Sequence, residues 1–334
     1  MGTIYVSYRN VARSNVAEIL MILYLARRLG TAVIVLFGVA AITFFLLHLI
    51  APSPAQAILG VRASPQAVAD FNRLNGYDRP EVVQFFGYLG NLLQGDLGQS
   101  YKLSQNVGAL FAQNAGRSAF LSGAAMLLAV VVALPLGIYQ AMRRNSAADY
   151  GITALAFILY SMPPFFLGLV LIEVFALSWK VLPFQASQAD TLGGVLLDFP
   201  SMILPIATLA GVQIAQYSRY TRSSTLDNLA QDYIGLARAK GLKERQILFG
   251  HLLRNSCLPV ITLIGLSMPA LLAGNLLVET LFNYPGLGLL FYHALQSQDY
   301  PILLAMTLIG GALVVVGNLV ADIATTIADP RIRL

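Results

Sequence analysis

Apolar residues run through this chain in long blocks separated by short polar clusters. Six stretches without Asp, Glu, Lys or Arg, at 29–61, 118–142, 150–172, 199–218, 255–278 and 300–321, are each long enough to cross a bilayer as a helix. Pro52 and Pro54 close the helical part of the first near residue 51. The polar pieces between them differ in kind. Residues 52–116 are the longest, and Val82, Val83, Phe85, Phe86, Tyr88, Leu89, Leu92 and Leu93 within them predict an amphipathic helix lying on the membrane, followed by a turn over Gly95–Tyr101. A short loop is expected over 180–198, and Pro163-Pro164 inside the third run predicts a bend.

Residues 232–259, within a polar loop over 223–255 and its edge, have another character. They are rich in charge, yet Leu229, Tyr233 and Leu236/Ala237 recur at helical spacing, as do Ile247/His251 and Leu248/Leu252. Two short helices joined at Gly241 are expected, because glycine takes a left-handed corner without a Cβ clash. An apolar face with basic flanks, held out between membrane helices, is the form of a docking surface for a partner groove.

Composition agrees with a membrane protein: 57% of the residues are hydrophobic and 11% charged. Of 21 lysines and arginines, only Arg62, Arg73, Arg79, Lys102, Arg117 and Lys180 fall in the segments that alternate away from the N-terminal side. The positive-inside rule then places both termini, the 1–28 lead and the Gly241 loop in the cytosol, with 29–334 as the membrane domain and 52–116 outside. The net charge of +5 sits beside membrane helices, where anionic lipid is its ordinary partner and nucleic acid is not required. The lead itself reads as a surface-lying helix.

Much chemistry is missing from the sequence. No Gly-x4-Gly-Lys-Ser/Thr loop occurs, so the chain is expected not to bind ATP or to act as an enzyme. His48, His251 and His293 are widely separated, and Cys257 is the single cysteine, so no metal or disulfide is expected. The polar residues inside apolar runs, Gln213, Gln216 and Asn275, are the candidates for a substrate pathway, since polar groups in lipid must face protein or water. Small residues from Gly265 to Gly274 suit close helix approach.

The charged loop resembles the coupling loop of permease subunits in bacterial ATP-driven importers. Ala237 and Gly241 match that pattern's spacing, whereas Gly235-Leu236 replaces its Glu-Ala, and His251-Leu-Leu-Arg254 replaces Ile-x-Leu-Pro, keeping Leu253. The form Ala237-Arg-Ala-Lys-Gly-Leu242, with His251-x-Leu-Arg-Asn255, is similar to the peptide and nickel branch. So are Leu74–Pro80 with Gln84, Gly95-Asp-Leu-Gly-x-Ser100, Phe282–Gly288, Asp299-Tyr-Pro301 and Asp329–Arg333. The resemblance implies an all-α integral membrane protein of the type I importer permease fold, with six membrane helices and both termini cytosolic, in the bacterial inner membrane. It further implies a homologous second permease subunit, two ATP-binding subunits that hold ATP and magnesium, and an external binding protein. Tyr233, Ala237, Arg238, Ala239, Lys240, Gly241 and Leu242 would then couple to the ATPases. Peptide import is the expected function and nickel import the alternative. A proton-coupled secondary transporter is a second alternative, although no ionisable residue stands at mid-membrane in these runs.

Overall fold

The computed structural model describes residues 27–28, 30–49, 54–60, 62–273 and 275–328. The N-terminal lead to residue 26 and the terminal Asp329–Arg333 motif lie outside the described residues.

The apolar run after residue 29 forms α1, Gly30–Leu49. The polar segment that follows is helical in three pieces: α2 Pro54–Leu59, α3 Pro65–Asn75 and α4 Glu81–Leu93. Ser64 caps α3, accepting from the Ala67 N–H, and Gly76 ends it at φ 71°. The apolar-periodic patch is α4, as its spacing predicts, and Phe85 is its buried residue. Phe85 packs with Ala40 and Phe44 of α1 and with Leu304 and Leu308, so the amphipathic helix is seated on the first membrane helix.

Helix α5, Val107–Met142, begins eleven residues before the apolar run that announces it. Asn106 starts it by accepting from the Ala109 N–H, and Arg117 is carried inside the helix rather than bounding it. The long polar segment therefore stops at residue 106 instead of 116. The third run is two helices, α6 Ala147–Ser161 and α7 Pro164–Leu171, the latter continued by a π-helical stretch over Ile172–Ser178. They meet at 109°. Met162 and Pro163 are extended there, with ψ 131° and 138°, because each precedes a proline and is driven from the helical region. The double proline predicts one bent span; the structure shows a break.

Residues 180–198 are not all loop, since α8 occupies Leu192–Leu197 behind a Thr191 cap. Helix α9, Pro200–Leu229, continues eleven residues past the run 199–218. It is packed inside the protein along Ser201–Ala210 and against α5 over most of its length. The coupling-loop pieces are α10 Asp232–Ala239, α11 Glu244–Ile247, a π-helical turn Leu248–Leu252, and α12 Leu253–Ser256. Then come α13 Leu258–Ala273, α14 Leu276–Leu281, α15 Leu287–Ser297 and α16 Tyr300–Ala328.

Among the described residues α1, α5 and the Tyr300–Leu319 part of α16 are long and apolar enough to cross a membrane. Counting each bent pair, α6/α7 and Glu244–Gly250/Leu253–Ser267, as one span brings the number to five by length and composition, with α13 supplying the apolar part of the second pair. The sixth expected run, 199–218, falls in α9, which is not among these spans; Gln213 and Gln216 lower its hydropathy. Val33, Ile34, Ile42 and Leu49 on α1 are 60–85% exposed, as lipid-facing side chains would be. The main core lies among α5, α8, α9 and α14, with Leu121, Ala125, Ala129, Met202, Ala210 and Val278 buried.

Candidate functional site

Residues 229–256 close on a core of their own. Ile234, Ala237, Ile247 and Leu252 are buried against one another, with Leu229, Tyr233, Leu242 and Leu248 packed around them. Burying isoleucine or leucine stabilises by about 2 kcal/mol each, so this cluster holds two very short helices that would not persist alone. The sequence period identifies Leu229, Tyr233 and Ala237 correctly but misses Ile234. Leu236, expected on the same face, is 57% exposed.

The corner has the expected geometry. Gly241 sits at φ 76°, its N–H donates to the Arg238 carbonyl at 2.9 Å, and the Leu242 N–H reaches back to Ala237 at 3.2 Å. These two bonds are the pair that ends a helix through a left-handed residue, with Leu242 folding onto the helix it has just left. A Cβ built on Gly241 would meet nothing within 4 Å, so only the backbone angle demands glycine. Lys243 begins α11, its N–H donating to the Gln246 side chain at 3.0 Å.

The outward face carries Leu236, Ala239, Lys240, Arg245 and Phe249, the last 60% exposed. Arg238 donates to Glu244 at 2.8 Å across the corner, with both side chains at least half exposed. Their mutual hydrogen bond lowers the Glu244 carboxyl below the ordinary glutamate range and raises Arg238. The Tyr233 hydroxyl donates to Asn228 Oδ1 at 2.7 Å and accepts from Asn255 Nδ2 at 3.1 Å. That hydroxyl ties the end of α9 and the short α12 to the same helix, α10. Of the expected coupling residues, Tyr233, Ala237 and Leu242 build the support, while Arg238, Ala239, Lys240 and Gly241 form the surface.

Two contacts that sequence reasoning misses join this end of α9 to α6. Arg222 grips Asp149 with both arms of its guanidinium, Nε to Oδ1 and Nη2 to Oδ2, each at 2.7 Å, and Asp149 is 2% exposed. The Asn145 N–H also donates to Asp149. One turn earlier on α9, Arg219 lies 4.6 Å from the Phe157 ring and 5.3 Å from the Tyr160 ring. The available signal is Asp149 itself, a lone carboxylate at the mouth of an apolar run, three residues after the capping Ser146.

The pathway candidates separate. Gln213 and Gln216 are three apart on one side of α9, both partly buried, and Gln213 Oε1 is enclosed without a hydrogen-bond partner. Asn275 instead starts α14, since its side chain accepts from the Val278 N–H. The short helix exists because Asn275 caps it, which the apolar pattern does not reveal.

The chain matches a family described as the binding-protein-dependent transport system inner membrane component over residues 133–334, and the N-terminal part of such components over residues 21–115. It is 39% identical to an oligopeptide transport system permease protein of Bacillus subtilis, over 319 residues that cover 94% of this chain and 100% of the relative. It is 36% identical to a di/tripeptide transport system permease protein of Pseudomonas aeruginosa, over 94% of this chain and 99% of that protein. Against a dipeptide transport system permease protein of Escherichia coli the identity is 34% at the same coverage, 94% and 99%. The chain, with its all-helical membrane architecture, belongs to the family of binding-protein-dependent transport system inner membrane components.

Proposed function

We propose that this chain is a permease subunit of an ATP-driven importer of short peptides, and that residues 232–256 receive the push of ATP-binding partner subunits. The relatives named for oligopeptide, di/tripeptide and dipeptide transport support the substrate class. The observation that carries the coupling role is the separate small core of the 229–252 cluster, which presents Leu236 and Phe249 outward although neither has a place inside. Such a body moves as a unit when pressed. The Tyr233 knot passes the displacement to α9, and the Arg222–Asp149 clamp passes it to α6, which leads to the break at Pro163.

In this reading the cytosolic side is the one bearing Gly241, and a second, homologous permease completes the pathway. ATP hydrolysis with its magnesium occurs in two partner subunits, and a binding protein brings peptide to the opposite face. Gln216 suits the wall of a peptide pathway, because a carboxamide offers both a donor and an acceptor to any backbone amide without selecting a side chain, and Gln213 beside it has its amide nitrogen for the same use while its oxygen is enclosed. Nucleotide-driven closure would bias the bundle between two states, as alternating access requires.

The test is co-purification. Phe249→Asp places a charge at the exposed apolar tip and should lower recovery of the ATP-binding subunits with the permease at least tenfold, with unchanged membrane level. Full recovery of the ATPases with Phe249→Asp and Leu236→Asp combined would rule out this surface as their dock.

A further inference from the structure

The segments 74–84, 95–100 and 299–301, singled out in the sequence but unused by the coupling surface, converge in the structure on one cavity. It measures about 810 Å³ and is open on one side, with α1, α2, α3, α4, the turn after α4 and the start of α16 lining it. That volume is in the range of sites for small organic ligands.

The walls are fixed by bonds internal to those segments. Gln84 Nε2 donates to the carbonyls of Tyr77 and Arg79, at 3.2 and 2.8 Å, which sets the turn between α3 and α4. The Tyr77 and Tyr101 hydroxyls meet at 2.6 Å across the cavity wall. Buried Asp299 accepts from the Ser100 hydroxyl and from the N–H groups of Tyr101 and Lys102, holding the turn after α4 to α16. The site is therefore formed before any ligand arrives.

What faces the space is largely unpartnered. Among the described residues, the side chains of Arg73, Arg79, Asn91 and Gln99 make no hydrogen bond or ion pair, and the Tyr88 hydroxyl is enclosed with no partner. Burial pushes the Tyr88 hydroxyl up to about 12, so it is a neutral donor at neutral pH. Phe44, Phe71 and Tyr300 supply ring surface between these groups. The charges are segregated by sequence. Arg73 and Arg79 flank the turn before α4, whereas Asp96 lies in the turn after it, beyond Gln94 and Gly95, keeping one carboxylate oxygen on the Gly98 N–H and the other open. Val83, Gln84, Gly87, Tyr88 and Asn91 of α4 line the space between, a stripe down one helix face.

We infer that this cavity binds a short peptide in its zwitterionic form, with the carboxylate taken by Arg73 and Arg79, the amino group directed to Asp96, and Asn91 and Gln99 meeting backbone amides. Guanidinium forks match carboxylates, unassigned carboxamides match peptide groups, and rings accept side chains without demanding one. The inference rests on the peptide-import reading, and in that orientation the site faces outside, apart from the Gln213 and Gln216 pathway.

The experiment uses the purified full chain in phosphatidylcholine nanodiscs with tritiated Ala-Phe-Ala and no binding protein. Saturable binding is expected, weakened about tenfold by C-terminal amidation. Arg73→Gln and Arg79→Gln should each bring the free acid toward the affinity of the amide and shrink the difference between them. Asp96→Asn should weaken the free-amine peptide and leave the N-acetylated one unchanged. No saturable binding, or binding indifferent to both arginines, overturns the inference. So does loss of peptide binding in phosphatidylglycerol nanodiscs that Arg73→Gln restores, which would assign the cavity to a lipid phosphate. ATP-driven uptake by the whole complex separates the two readings. Uptake without binding to the isolated chain removes this site alone, and no uptake by the wild-type complex removes the importer reading.

Discussion

Residues 275–301 and residues 229–256 both connect membrane helices, and they are held by different physics. The first region hangs on two buried carboxylates. Glu279 Oε1 accepts from the Ser118 hydroxyl at 2.7 Å and the Asn275 N–H at 3.0 Å, while Oε2 accepts from the Gly288 N–H at 2.7 Å. Gly288 approaches so closely that a Cβ there would stand 2.8 Å from the Leu276 backbone. Asp299 repeats the device for residues 100–102. The second region has an apolar core of four side chains, an exposed ion pair and a tyrosine knot at its root. Removing a buried acceptor strands several donors at once, whereas the apolar cluster shifts as a body without orphaning anything. A region nailed by buried polar groups suits a frame, and on the proposed coupling role the one closed on its own small core would be the lever.

The largest effect should come from the frame. Glu279→Ala leaves the Ser118 hydroxyl and the Asn275 and Gly288 N–H groups buried without their acceptor, each at a cost of about 1–3 kcal/mol. The thermal midpoint in detergent, read by fluorescence-detected size exclusion, should fall on the order of 10 °C. An unchanged midpoint would erase the distinction between the two regions. Next comes the clamp between α9, which leads into the lever, and α6. Asp149→Asn removes the charge that the partly exposed Arg222 grips twice, at about 1–3 kcal/mol, and should lower the midpoint by roughly 5 °C. Arg222→Lys keeps the charge but loses the fork, so its shift should be about half as large.

The smallest effect belongs to the Arg238–Glu244 pair, which is open to water. Arg238→Ala should leave the midpoint unchanged within error from pH 7 to 9. Because the folded Glu244 carboxyl is held below its unfolded value, whatever the pair contributes is present above that unfolded value and fades as pH falls through the folded one. Any difference between wild type and Arg238→Ala should therefore shrink on acidification and not on alkalinisation. A difference that grows toward acid pH would mean the carboxyl is stabilised in its protonated form.

The apolar runs locate the membrane helices, and the spacing of α4 and of the coupling helices is readable because periodicity survives burial. Helix ends are less legible. Charge bounds the runs at Arg117 and Arg219, yet both residues sit inside helices, since an end is set by caps such as Asn106 and not by polarity. Pro163-Pro164 announces a bend, but its size depends on the extended residues before each proline. Gly241 is recognisable because few residues take its angle. The capping role of Asn275 is not readable beforehand, because a cap and a lining residue look alike in sequence. Asp149–Arg222 and Ser118–Glu279 pair residues 73 and 161 positions apart, and no local pattern carries that information.

Gly241 offers the most direct test of the lever. Open space around its Cβ position leaves backbone angle as the sole constraint, so substitutions can vary strain without crowding. Valine at this φ of 76° should be strained by about 1–3 kcal/mol, whereas asparagine tolerates the left-handed region. The measurement is ATP-driven uptake of a labelled tripeptide, with ATP hydrolysis in parallel, by the complete complex in vesicles at matched permease level. The lever account predicts that Gly241→Val lowers uptake at least tenfold while the assembled permease keeps its thermal midpoint within a few degrees, and that Gly241→Asn transports close to wild type. Normal uptake by Gly241→Val, or equal loss in both variants, would contradict it.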